Sequence, residues 1–169
     1  MTTLLKRRLL ALAGLASVCA LASPGLAAPT AKLSRSVEVA GSPDAVWARV
    51  GPFCAIAEWH PAIGSCRMDS RRNPTRTLMT RDGAKFVELE VAHSEQGRSY
   101  SYAFVSSPVP VSHYVSTFSV AASAHGGSVI TWSSAYEPDA GKETAAREAL
   151  TGIYESGLAA IKAKVAAKP

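Results

Sequence analysis

The sequence predicts an α+β fold, in which a curved antiparallel sheet of about seven strands wraps on a long C-terminal helix and two short helices follow the first strand. Three observations predict it. Residues 63 to 137 break into six short segments of alternating apolar and polar character, each bounded by turn-forming residues. Residues 141 to 165 repeat their apolar positions at helical spacing. Before residue 63, one β-branched segment is followed by two short helical ones.

The chain opens with Lys6, Arg7 and Arg8, then an apolar run from Leu9 to Ala22, then "SPGLAA" with its small residues. This is the pattern of a secretory signal peptide, too short for a membrane span. Cleavage is expected after Ala27, leaving residues 28–169 as a single domain with no membrane span. A Sec-type route is expected, because "KRRLLAL" lacks the polar residue that usually precedes a twin-arginine pair. The expected location is periplasmic or secreted. Removing residues 1–27 lowers the formal net charge from +5 to +2, since the segment holds three basic and no acidic residues. No basic stripe remains, so a nucleic-acid partner is not expected.

The elements follow in order. "LSRSVEVA" (33–40) reads as a first strand. Ser42 then supplies an N-cap and Pro43 the first helical position, so "DAVWARVG" continues as a helix with Val46, Trp47 and Val50 on one side. "CAIAEW" reads as a second short helix, stopped by Pro61. Segments 63–70, 75–81, 85–94, 98–106, 113–122 and 128–137 read as strands. Their boundaries are Asn73-Pro74, Asp82-Gly83, Gln96-Gly97, Pro108 to Pro110 and Gly126-Gly127, with Asp82-Gly83 the strongest hairpin signal. Connections this short make antiparallel neighbours. In the last helix Ala146, Leu150, Ile153, Gly157, Ile161 and Val165 form an apolar stripe. Only the concave face of the sheet is large enough to cover it.

The candidate chemistry concentrates in two places. The first is "CAIAEWHPAIGSC", which holds Cys54 and Cys66, the two cysteines of the expected mature chain. In an oxidising compartment such a pair forms a disulfide, and a loop of this size constrains the unfolded chain by roughly 2.5–3 kcal/mol. A redox pair usually has the shorter Cys-x-x-Cys spacing. A zinc site at Cys54, His60 and Cys66 lacks a fourth ligand, so no metal is expected. His60, two residues after Glu58, could serve as a general base or simply bond backbone. No nucleophile elbow accompanies it, and the expected role for Trp59 and His60 is one wall and a polar rim of a pocket mouth. No catalytic residue and no cofactor are assigned.

The second place is the set of aromatic side chains facing the expected interior: Tyr102, Tyr114, Trp132, Tyr136 and Tyr154. They pack a core or line a cavity with a few polar tips. Ala146, Gly157 and Ala160 on the last helix would leave room for such a cavity. Arg71, Arg72 and Arg76 are expected on a solvated face, and "SSPVPVS" could form a lid.

The order of strand, two short helices, six strands and one long helix resembles the helix-grip fold of the START/Bet v 1-like (SRPBCC) superfamily, described as polyketide cyclase/dehydrase and lipid transport. The resemblance covers nearly all of residues 33–165. "VWARVGPFCAIAEWHPAIGSC", "RTLMTRDG", "RSYSYAFVSSPVPVSHYVSTFSV", "ITWSSAYEP" and "GIYESGLAAIK" are similar to an exported branch that includes MxaD-type proteins, periplasmic accessory factors of methanol oxidation. The resemblance implies a ligand site between sheet and helix. Three functions stay open. The first is a non-enzymatic binding protein for a small apolar or amphipathic ligand. The second is an accessory protein that docks on a periplasmic dehydrogenase or cytochrome. The third is a cyclase or dehydratase using His60 or a tyrosine as acid or base. The first and third need an open cavity; the second does not.

Overall fold

The computed structural model describes residues 30–69 and 73–166. The expected signal segment, together with Arg71 and Arg72, lies outside the described residues. The elements are β1 (Ala31–Val39), α1 (Pro43–Val50), α2 (Ile56–Trp59), β2 (Ile63–Asp69), β3 (Thr75–Thr80), β4 (Lys85–Ser94), β5 (Ser99–Ser106), β6 (Val111–Ala122), β7 (Ser128–Pro138) and α3 (Glu143–Ala166). All seven strands join one antiparallel sheet in the order β1-β7-β6-β5-β4-β3-β2. The expected helix-grip architecture is therefore present, element for element.

Local chemistry explains the boundaries. The Ser42 side chain accepts a hydrogen bond from the Ala45 amide at 3.3 Å and Pro43 opens α1, which ends at Gly51. The Asp82-Gly83 turn closes β3 onto β4, with Gly83 at φ +92°, a value that glycine adopts without strain. At the β6–β7 turn Gly127 has no substitute, because a Cβ there would lie 2.4 Å from the Val39 carbonyl oxygen. That close approach brings β1 alongside β7 and sets the β1–β7 register. An irregularity between Ser112 and Val115, with His113 at φ +50°, bends β6 near its start.

The sheet curls around α3, whose buried positions are Ala146, Leu150, Tyr154, Gly157, Leu158 and Ile161. The stripe runs as expected, except that it is centred on Tyr154 and leaves Ile153 and Val165 half-buried. Arg35 on β1 forms an ion pair with Glu155 on α3 at 2.7 Å. Val46, Trp47 and Val50 of α1 and Ile56 and Trp59 of α2 complete the core. Cys54 and Cys66 are bonded, with Cα atoms 5.5 Å apart. The bond closes a loop that carries α2 from its N-terminal side into β2. Among the described residues no helix is long and apolar enough to cross a membrane.

Candidate functional site

Alternation in β5, β6 and β7 turns Tyr102, Tyr114, Ser116, Phe118 and Trp132 toward α3, and all are buried. Their register sets Tyr102 opposite Ser116 and Phe118 opposite Trp132. Tyr154 reaches the same point from α3 and stacks on Trp132, with ring centres 4.5 Å apart.

The hydroxyls form a directed chain. Ser116 Oγ donates to the Ser133 carbonyl at 2.8 Å, which commits its single hydrogen. It therefore accepts from Tyr154 at 3.1 Å and from the Trp132 indole N–H at 3.0 Å. Tyr154, having given its hydrogen to Ser116, accepts from Tyr114 at 2.7 Å. Tyr114 in turn accepts from Tyr102 across a long 3.4 Å contact, while Tyr102, at 3.0 Å, shares the single Trp132 indole hydrogen with Ser116. Burial pushes the phenols of Tyr102 and Tyr114 well above their ordinary value and raises that of Tyr154, so all three stay neutral.

Beside this chain lies a buried ion pair between Arg76 and Glu88. Arg76 is fully buried rather than on a solvated face. Its Nε donates to Glu88 Oε2 at 2.5 Å, Nη1 donates to the Phe53 carbonyl, and the guanidinium sits 3.9 Å over the Phe53 ring. Among the described residues Nη2 completes no hydrogen bond; burial raises the Tyr100 phenol, and the cation pulls it back. Burial raises the Glu88 carboxyl, and the adjacent guanidinium pulls it back. The neighbouring charge keeps Arg76 protonated despite its burial. The signal was legible: Arg76 shares a strand face with Leu78, and Glu88 shares one with Phe86. Opposite charges at inward positions of adjacent strands sit directly across from each other in this register.

Between the sheet and α3 runs a slot of about 50 Å³. Glu88, Tyr102, Tyr114 and Trp132 form its buried inner wall, while exposed Ala62 and half-buried Thr80, Phe104 and Ile153 rim the outer end. The expected cavity is thus present but narrow. Its volume lies far below the roughly 300–1,000 Å³ of a drug-sized ligand site. The room left by Gly157 is taken by the chain's own rings: a Cβ there would meet His60 at 2.8 Å, Trp132 at 3.0 Å and Trp59 at 3.1 Å.

His60 also lines the slot, but it is buried at 3% exposure instead of standing at a rim. Its Nε2–H donates to the Ile153 carbonyl at 3.0 Å and Nδ1 accepts the Ala62 amide at 3.2 Å. Burial lowers its pKa, keeping the ring neutral. Both nitrogens are occupied by backbone, so His60 ties α3 to the α2–β2 corner. Trp59 is turned inward against Phe118 and Trp132, away from the slot, and its other side lines an open groove of about 560 Å³ beside the disulfide corner with Cys54, Glu58 and Lys164; among the described residues its buried indole N–H has no partner. Tyr136 is buried at the far end of β7, opposite Ala31, and does not line the slot. Of the sequence-predicted residues the structure therefore brings His60, Tyr102, Tyr114 and Trp132 together on the slot, with Tyr154 directly behind. In "SSPVPVS", Val109 is buried, which pins the segment to the body. Among the described residues no group of His, Cys, Asp and Glu could hold a metal ion.

Comparison with known proteins agrees with this architecture. No curated protein matches the chain. Among solved structures, the protein XoxI from Bacillus cereus is 29% identical, with a TM-score of 0.77 over 81% of this chain and 96% of that one. Truncated norcoclaurine synthase from Thalictrum flavum is 17% identical (TM-score 0.67, 87% and 100% covered). The ZhuI aromatase/cyclase from Streptomyces sp. R1128 is 14% identical (TM-score 0.65, 81% and 94% covered). These last two share the fold alone. Residues 30–166 match the family described as polyketide cyclase / dehydrase and lipid transport, and the chain belongs to that family.

Proposed function

We propose that this is an exported, non-enzymatic binding protein that holds a small apolar or amphipathic ligand in the slot between sheet and α3. The observation that carries this reading is the pairing of an apolar slot with a few polar groups gathered at its inner end. Buried polar clusters and ion pairs add little to stability compared with apolar packing. Their concentration beside a slot lined by both Glu88 and Tyr102 supports recognition. The slot admits a few heavy atoms as it stands, and a larger ligand displaces the aromatic wall at Phe86 and Phe104.

Proton chemistry has weaker support. The ring nitrogens of His60 are both engaged, and the buried phenols are held neutral far above physiological pH. Glu88, also on the slot, is raised by burial but is engaged in its ion pair with Arg76. Export is supported by the signal-like segment and by the Cys54–Cys66 bond, which oxidising compartments preserve.

The narrowness of the slot favours a second reading, the accessory role beside a periplasmic dehydrogenase or cytochrome, in which recognition lies on the outer surface. Native mass spectrometry of the protein taken from the periplasm of its own host separates the two. A retained small molecule supports the binding protein; a co-purifying dehydrogenase with an empty slot moves the conclusion to the accessory role. A turnover that His60→Gln abolishes would overturn both.

A further inference from the structure

The inner end of the slot offers two hydrogen-bonding positions that the protein does not use. Arg76 engages Oε2 of Glu88, and no donor among the described residues is placed on Oε1. The side chain keeps 4% exposure, and Glu88 lines the slot. One carboxylate oxygen therefore faces the slot as a free acceptor. The second position is the Tyr102 hydrogen. The chain that begins at Ser133 forces Tyr102 to donate toward Tyr114, yet that contact is 3.4 Å, well beyond the usual O–H···O separation of about 2.7–2.8 Å. Tyr102 thus holds a loosely committed donor.

A group that donates to Glu88 and accepts from Tyr102 satisfies both at once. Charge narrows the choice. Arg76 already balances Glu88 at 2.5 Å, so the inner end carries no net charge. A cation would enter beside a guanidinium and an anion would face a carboxylate, and either would lose its hydration without compensation. A neutral hydroxyl is both donor and acceptor. The rest of the wall is apolar, with Ile56, Leu78, Phe86 and Leu150 among it.

We infer that the slot is a hydroxyl-recognition site for a small neutral alcohol, with Glu88 Oε1 accepting the ligand hydrogen, Tyr102 donating to the ligand oxygen, and the apolar wall taking the carbon chain. This rests on the ligand-binding reading given above and names its ligand class. The slot volume of about 50 Å³ limits the buried part to the hydroxyl and the first few carbons.

The test uses the full mature chain and four probes of similar size: 1-butanol, its isomer diethyl ether, butylammonium and butyrate. Binding is followed by NMR shifts of the Trp132 indole N–H, which bonds Tyr102 and Ser116 directly. The expected result is that 1-butanol binds about tenfold tighter than diethyl ether, which cannot donate to Glu88, and tighter than either ion. Tyr102→Phe, which keeps the ring, weakens 1-butanol about fivefold. The double variant Arg76→Met/Glu88→Leu removes both charges together and abolishes the preference for 1-butanol over the ether. Equal affinity for 1-butanol and ether, tighter binding of an ion, or no effect of Tyr102→Phe overturns hydroxyl recognition and leaves the ligand-binding reading standing. No shift at Trp132 with any of the four probes overturns both.

Discussion

Arg76 and Glu88 face each other across β3 and β4 at 2.5 Å, with side-chain exposures of 0% and 4%. The pair fastens more than two strands. Through the Phe53 carbonyl and ring, the guanidinium also holds the segment that leads into the disulfide loop. Removing one partner leaves the other charge buried. Arg76→Met should cost about 3–5 kcal/mol in urea denaturation at pH 7, and the double variant Arg76→Met/Glu88→Leu should recover most of it. The pH dependence has a defined sign. With the cation gone, burial alone acts on Glu88 and raises its folded-state pKa above the unfolded value. A raised carboxyl contributes no penalty below the unfolded pKa, near 4.5, and an increasing one as pH climbs toward the folded value. The gap between Arg76→Met and the parent should be small at pH 4 and widen toward pH 7; a constant gap would show that Glu88 is not the charge left behind.

His60 should behave as a structural neutral histidine. Its folded-state pKa is depressed below 6.5 by burial. Its stabilising contribution is present above the unfolded pKa and is lost as pH falls through 6.5 toward the folded value. His60→Gln should destabilise by about 1–3 kcal/mol at pH 7, since it leaves the Ile153 carbonyl or the Ala62 amide unpaired. That difference should shrink between pH 7 and pH 5. Affinity for a bound ligand should stay within about tenfold, because the ring offers the slot no free nitrogen.

Gly157→Ala sets two effects against each other. Alanine is favoured over glycine inside a helix by about 1 kcal/mol. The added methyl, however, meets rings of His60, Trp132 and Trp59 at 2.8 to 3.1 Å. Such overpacking costs typically about 1–3 kcal/mol. All three rings are hemmed in, so the clash should win, and a lowered urea midpoint with altered tryptophan fluorescence is expected. A raised midpoint would mean that the aromatic cluster shifts freely.

The disulfide prediction is simple. Cys54→Ser should cost about 2–4 kcal/mol in thermal or urea unfolding. Oxidised mature protein, from which Cys19 has been removed with the expected signal segment, should show no thiol reactive toward a standard reagent after denaturation.

Much of the fold was legible because period and punctuation agree in this chain. The six alternating segments between Ile63 and Pro138 became β2 to β7 with ends shifted by at most two residues. Ser42-Pro43 marked the start of α1, and the stripe from Ala146 to Ile161 marked α3. The candidate site was less legible. Alternation tells which face a residue occupies, so Tyr102, Tyr114 and Trp132 were placed correctly. It does not tell how far a neighbouring ring reaches. Gly157 read as empty space, and three rings from α2, β7 and the α2–β2 corner fill it. Arg76 is illegible for a different reason: in sequence it lies beside Arg71, Arg72 and a turn, a solvated setting, while it shares an inward strand face with Leu78. Burial of a charge depends on the opposite strand, and the register that supplies Glu88 is not written in β3.

The sheet is open, and both of its edges end in strands that discourage growth. Along β1, exposed Lys32, Ser34, Ser36 and Glu38 alternate with buried Leu33 and Val39 and half-buried Ala31, Arg35 and Val37, and Arg35 is drawn across to Glu155 on α3. Along β2, exposed Arg67 and Asp69 follow a register break between Ile63 and Ser65. A second chain adding to either edge would have to accommodate exposed charged side chains, and at β2 also an irregular ladder. The same exposed side chains that flank the two edge strands therefore work against edge-to-edge addition of a second copy.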